Sequence, residues 1–143
     1  MGGEEACEAY IDGASRGNPG PASYSYVLRI GGKVIKGSGY LGRATNNFAE
    51  YQALIHCLRK ALRLGCKRLT VYSDSQLLVR QLLGEYRVRD GTLQGLHEEV
   101  RKLSKLLPQF EVRHIPREKN LEANNLAQEA IARAAKLKRR EMR

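Results

Sequence analysis

Apolar and polar positions alternate along three successive stretches at the start of the chain. Cys7, Ala9 and Ile11 fall on one face of a first strand, with Glu8, Tyr10 and Asp12 on the other. The strand breaks into a run of Gly, Ser, Asn and Pro up to Pro21, in which Asp12-Gly13 is a hairpin signal and Asn18-Pro19-Gly20-Pro21 is turn chemistry. Ala22 to Ile30 alternates again, with Tyr24, Tyr26, Leu28 and Ile30 on one face; Gly31-Gly32 turns the chain and Lys33 to Tyr40 returns as a third strand. These three strands predict an antiparallel meander.

The period then lengthens. Ala44 to Asn47 opens a helix in which Phe48, Tyr51, Leu54, Ile55, Leu58 and Leu62 recur at helical spacing until Gly65. Lys67 to Ser73 is a fourth strand, with Leu69 and Val71 inward, and it leads through Asp74 into a helix ending near Leu83. Leu93, Leu96, Val100, Leu103 and Leu107 mark a further amphipathic helix stopped by Pro108; Gln109 to Ile115 is a fifth strand. The last helix starts near Leu121, with Leu126, Ala130, Ile131 and Ala134 facing in. Strand-helix-strand connections imply parallel pairing beside the meander. The predicted fold is α/β, a five-stranded mixed sheet with helices on both faces.

At 143 residues and 42% hydrophobic content the chain fits one domain, with a core from about residue 7 to 135 and a basic end from about 133 to 143. No apolar run is long enough to span a bilayer and residues 1–10 lack the basic and apolar regions of a leader, so a cytoplasmic protein without a membrane partner is expected. Cys7, Cys57 and Cys66 are odd in number and lack CxxC spacing; they read as reduced thiols, with a single bridge as the alternative. The net charge is +10, and Arg133 to Arg143 holds six basic residues against one acid. That balance suits a polyanionic partner, nucleic acid first, although a basic end also serves as a solvated tail.

Three acids stand at element boundaries: Asp12, Glu50 and Asp74. Each has a structural explanation, since Asn47 and Glu50 fit a capping box and Asp74 precedes a helix it could cap. Their joint placement argues otherwise. With strand four parallel to strand one, Asp12 and Asp74 emerge at the same sheet end. Two carboxylates ~4 Å apart repel by about 4 kcal/mol at an effective dielectric of about 20, so such a cluster holds protons or divalent cations. Oxygen ligands without nearby His or Cys suggest Mg²⁺ or Mn²⁺, and on a basic protein this suits metal-assisted phosphoryl chemistry on nucleic acid.

The stretches YIDGASRGNPGP, ATNNFAEYQAL, VYSDSQLLVRQL and HIPREKNLEANNLAQEA together resemble the type 1 ribonuclease H family, over about Tyr10 to Ala130. The resemblance implies the ribonuclease H fold and hydrolysis of the RNA strand of an RNA/DNA hybrid, leaving 5′-phosphate and 3′-hydroxyl ends. It implies two Mg²⁺ ions, for which Mn²⁺ can substitute, held by Asp12, Glu50, Asp74 and the residue at position 124. His114 matches a mobile histidine that helps the proton or product leave. Ser15, Gly17, Asn18, Asn46, Asn47 and Gln76 match residues of the ribose-reading groove, and Arg43 and Thr45 match positions that hold a DNA-strand phosphate. Gly84 to Gly91 is too short for the basic, Trp-containing protrusion of some members, so backbone affinity falls to scattered cations such as Arg87, Arg89, Arg117 and Lys119, with the basic end. A monomer is expected, and the compact form leaves double-stranded RNA open as a second substrate.

One position departs from the family pattern. Where the family has Asp, this chain has Asn124, whose amide oxygen can ligate Mg²⁺ but carries no charge. The change is isosteric in an otherwise intact set, which favours a substitution made to trap an uncleaved complex over a natural low-activity variant. Glu122 falls on another helix face and is not expected to compensate. Asn124 is expected to stand opposite Asp12. A catalytically silent hybrid-binding module is the reading from a different class.

Overall fold

The computed structural model describes residues 6–142; residues 1–5, part of the segment read above for a leader, and Arg143, the last cation of the basic end, lie outside the described residues. Its elements are β1 (Ala6–Ser15), β2 (Gly20–Ile30), β3 (Lys33–Ala44), α1 (Asn46–Arg63), β4 (Arg68–Ser73), α2 (Gln76–Leu82), α3 (Gly91–Ser104), β5 (Gln109–His114), a 3₁₀ turn (Arg117–Lys119) and α4 (Leu121–Glu141). The sheet order is β3-β2-β1-β4-β5, with β1, β2 and β3 antiparallel and β4 and β5 added in parallel. No helix among the described residues is long and apolar enough to cross a membrane.

The sheet is covered on both faces, as the alternation predicts. Ile11, Leu28, Leu69 and Val71 pack against α1, which buries Tyr51, Leu54, Ile55 and Leu58, and α2 and α3 complete this core with Leu78, Val79 and Val100. On the other face α4 packs on the sheet through Ala127 and Ile131, which meet Ala14. Alanines let the helix lie close enough for Ser25 Oγ and Ser23 Oγ to donate to the Ala123 and Ala127 carbonyls, both at 2.5 Å.

Several expectations are corrected. Asp12-Gly13 is not a hairpin turn: β1 runs on to Ser15, and the break comes at residues 16–19. Gly13 is needed for a close approach, since a Cβ there would lie 2.3 Å from the Ala49 carbonyl carbon and the Glu50 nitrogen. The third strand extends to Ala44, past the expected end at Tyr40, and Gly42 within it takes a left-handed φ of 74°. The cap of α1 is Thr45, not Asn47; its side chain accepts from the Phe48 N–H, and Glu50 is not part of a capping box. Ser75, not Asp74, caps α2 through the Leu78 N–H. Both acids are thereby released from structural duty at the helix ends.

The cysteines also depart from the reduced-thiol reading. Cys7 and Cys66 form a disulfide, while Cys57 is a buried free thiol. Pairing of β1 with β4 sets Cys7 opposite Leu69, and the chain enters β4 directly from Cys66, which brings the two Cα atoms to 6.2 Å. The bridge spans 59 positions, and closing a loop of that order removes about 4 kcal/mol of unfolded-chain freedom in the entropic account.

Candidate active site

Parallel pairing of β1 with β4 sets Ile11 opposite Ser73, so the next residues of the two strands, Asp12 and Asp74, leave the sheet side by side. Glu50 reaches them from the fifth position of α1, just past its first turn, and the approach of the helix depends on Gly13; the Gly13 N–H donates to Glu50 Oε1 at 2.9 Å. One carboxylate oxygen from each of Asp12, Glu50 and Asp74 lies within 4.8 Å of the others. The three open into a polar cleft of about 550 Å³ that is also lined by Ser15, Asn18, Asn46, Asn47, Arg117, Asn124 and Gln128.

Asp12 is only 4% exposed and Glu50 7%. Burial, reinforced by the charge of Asp74, pushes the Asp12 carboxyl up to about 7, against a smaller opposing pull from Arg117 and the Gly13 N–H. Burial likewise raises Glu50 well above the ordinary range, with Asp12 and Asp74 adding to it and the Gly13 N–H and Arg117 opposing. Two buried acids that retain protons in the absence of a counterion, beside a third carboxylate and with oxygen donors throughout, fit a hard divalent cation.

The metal-free protein is therefore expected to lose stability as pH rises. Between the ordinary Asp value of 3.8 and about 7, folded Asp12 holds a proton that the unfolded chain releases. Its contribution is fully present below pH 3.8 and is lost as pH passes about 7, with Glu50 acting in the same direction. Thermal unfolding in chelator across this range should show the decline, and a divalent cation should raise Tm most at the alkaline end, because it binds the ionised folded site.

Asn124 is 6% exposed and stands against Asp74 rather than opposite Asp12. Its Nδ2 donates to Asp74 Oδ2 at 3.0 Å and to the Asn120 carbonyl at 2.6 Å. Glu122 points elsewhere, pairing with Lys36 at the surface, in keeping with its different helix face. Asn120 was not among the expected site residues. It is 1% exposed, and its Nδ2 donates to the Ile11 carbonyl at 2.8 Å and to Asp74 Oδ2 at 3.1 Å, tying the start of α4 to both strands. As the residue before α4 it looks like an ordinary cap, yet its side chain makes no capping bond. No local spacing signals its contacts, which cross 109 and 46 positions.

The remaining expected residues divide into three groups. Ser15, Asn18, Asn46, Asn47 and Arg117 share the cleft with the carboxylates. Within it, Ser15 Oγ donates to the Ala44 carbonyl at 2.8 Å and Asn18 Oδ1 accepts the Asn46 N–H at 3.0 Å, so the loop after β1 is fastened to the start of α1. Arg43 and Thr45 lie in an adjoining depression with Pro19, Asn47, Phe48 and Asp90. Gly17, Gln76 and His114 are exposed and are not part of the cleft wall; His114 ends β5 opposite Ser73.

Residues 11–130 match the family of reverse transcriptase-like domains. Ribonuclease HI of Halobacterium salinarum is 43% identical over 125 residues, covering 86% of this chain and 63% of that protein. The chain belongs to the type 1 ribonuclease H family. The N-terminal ribonuclease H domain of Rv2228c from Mycobacterium tuberculosis superposes with a TM-score of 0.87 at 36% identity, over 92% of this chain and 96% of that one. A second ribonuclease H structure, LC11-RNase H1 in complex with an RNA/DNA hybrid, gives 0.85 at 38% identity over 90% and 99%. The chain spans 63% of the length of the Halobacterium relative and 35% of the bifunctional Rv2228c protein. The predicted ribonuclease H fold is the one observed.

Proposed function

We propose that this domain hydrolyses the RNA strand of RNA/DNA hybrids, leaving 5′-phosphate and 3′-hydroxyl ends. The observation that carries the reading is the convergence of Asp12, Glu50 and Asp74 oxygens within 4.8 Å at the end of two parallel strands, in an amide-lined cleft. Asp12, Glu50 and Asp74, with the Asn124 amide oxygen, would hold two Mg²⁺ ions, or Mn²⁺ in their place. Such ions supply charge neutralisation at the phosphoryl oxygens and lower the pKa of water.

The chain's own groups do the rest. Glu50 is fixed by the Gly13 N–H and Asp12 by its burial, so their oxygens need little reorganisation. Asn120 and Asn124 hold Asp74 through two N–H donors. Arg117, on the cleft wall, offers a cation to the phosphate flanking the cut. Water would attack phosphorus in line and give up a proton, the bond from phosphorus to the 3′ oxygen would break, and that oxygen would take up a proton to become the 3′-hydroxyl. His114, at the exposed end of β5, serves as the helper for this proton or for product departure.

Recognition of RNA requires contact with the 2′-hydroxyl, which both donates and accepts. Ser15, Asn18, Asn46 and Asn47, which line the cleft beside the carboxylates, would make such contacts, joined by the exposed Gly17 and Gln76. Arg43 and Thr45 in the adjoining depression suit a phosphate of the DNA strand. The protein acts in this reading as a cytoplasmic monomer.

The test is cleavage of a panel of hybrid, double-stranded RNA, single-stranded RNA and DNA duplex, with Mg²⁺, Mn²⁺ or chelator. The expected result is metal-dependent cutting of the hybrid's RNA strand. Comparable cutting of double-stranded RNA would widen the substrate class. Hybrid binding without cleavage, persisting after Asn124→Asp, would make the chain a silent binding module.

A further inference from the structure

The path of α4 relative to the carboxylates has a consequence for the basic end. Asp12 is paired with Ser25 and Ala14 with Ser23 across β1 and β2. Ser25 bonds the Ala123 carbonyl and Ser23 the Ala127 carbonyl, so α4 advances in the same direction as β1. Ala127 and Ile131 pack on Ala14, next to the end of β1. The helix nevertheless continues to Glu141. Its final ten residues, about 15 Å at the helical rise, extend past the end of β1, the end at which the carboxylates open.

The extension follows the cleft wall along α4. Asn124 and Gln128 line the cleft, and successive turns along that side carry Ala132, Lys136 and Arg139. Ala132, Lys136 and Arg139, with Arg133 and Glu129 beside them, border a shallow groove of about 380 Å³. Arg133, Lys136 and Arg139 are exposed, and none takes part in the salt bridges found among the described residues. A merely solubilising tail has no need of a helix aligned with the cleft.

We infer that the end of α4 is a phosphate track, in which Lys136 and Arg139, flanked by Arg133, hold the sugar–phosphate backbone of a duplex leaving the cleft. The inference rests on the hybrid reading above and adds a second, sequence-independent contact to it. From Gln128 to Arg139 is about 17 Å along the helix, or about five nucleotide steps of a duplex strand. A short hybrid centred on the carboxylates falls short of the track, whereas a long one reaches it.

The test compares the intact chain with K136Q/R139Q and with a charge-matched control, R101Q/K102Q, on the exposed side of α3. Binding is measured in chelator, which keeps the RNA whole, on hybrids of about six and about eighteen base pairs over a salt series. For the long hybrid, K136Q/R139Q should weaken binding about tenfold at moderate salt and flatten the salt slope by between about one and two. Binding of the short hybrid and cleavage of it with Mg²⁺ should be unchanged, and the control should bind both like the intact chain. Circular dichroism verifies that each variant is folded. Equal binding of the long hybrid by K136Q/R139Q and the intact chain would overturn the track, as would an equal loss in the control or on the short hybrid. Failure of the intact chain to bind either hybrid would overturn the hybrid reading and the track together.

Discussion

Replacing Asp12 with Asn is expected to lower metal-dependent cleavage of the hybrid by at least roughly 10²–10³-fold, while raising the thermal stability of the metal-free protein above pH 7. The two effects have one cause. Asp12 lies beside Glu50 and Asp74, almost fully buried, where its negative charge is costly without a cation and, in the proposed reaction, needed to hold one. An amide of the same shape keeps the packing and relieves the repulsion on Glu50, but cannot supply the charge that holds a divalent ion. Single-turnover rates in Mg²⁺ and Tm in chelator measure the two sides separately. Loss of activity together with loss of metal-free stability would show that Asp12 supports the fold instead.

The second large effect concerns position 124. Asn124→Asp is expected to accelerate hybrid cleavage in Mg²⁺ by about tenfold or more, by restoring a charged ligand. The present geometry adds a stability signature. Asn124 now donates to Asp74 Oδ2 and to the Asn120 carbonyl, and an aspartate would turn an oxygen toward both. Losing a donor to a charged partner costs about 1.5–3 kcal/mol. In chelator the variant should therefore melt below the parent, and Mg²⁺ should raise its Tm by the larger increment. Equal cleavage rates for the two proteins would make the neutral amide a fully competent ligand at this position.

The elements and the clustering of the three acids were legible in the sequence because both rest on short-range regularities. Alternation at Cys7, Ala9 and Ile11 and helical spacing from Phe48 to Leu62 each report a buried face, and the element order then forces Asp12 and Asp74 to one sheet end. Local ambiguity defeated the helix caps: Thr45, Asn46 and Asn47 all carry suitable oxygens, and the choice of Thr45 depends on how α1 meets Gly13. Asn124 was recognisable as an oddity, but its partner was not, since Asp74 lies 50 positions away. Asn120 was invisible for the same reason.

The disulfide is the remaining case, and it bears on alignment. Cys7 lies at the start of β1 and Cys66 just before β4, at the opposite end of the strand pair from Asp12 and Asp74. A parallel pair that slipped by one residue would turn one carboxylate to the wrong side of the sheet. A covalent bond at the far end of the same two strands opposes that slip without touching the carboxylates, about 17 Å away at the rise of a strand. The oxidised bridge thus acts as a spacer for the carboxylate cluster, helping to set from a distance which two side chains meet where the strands end.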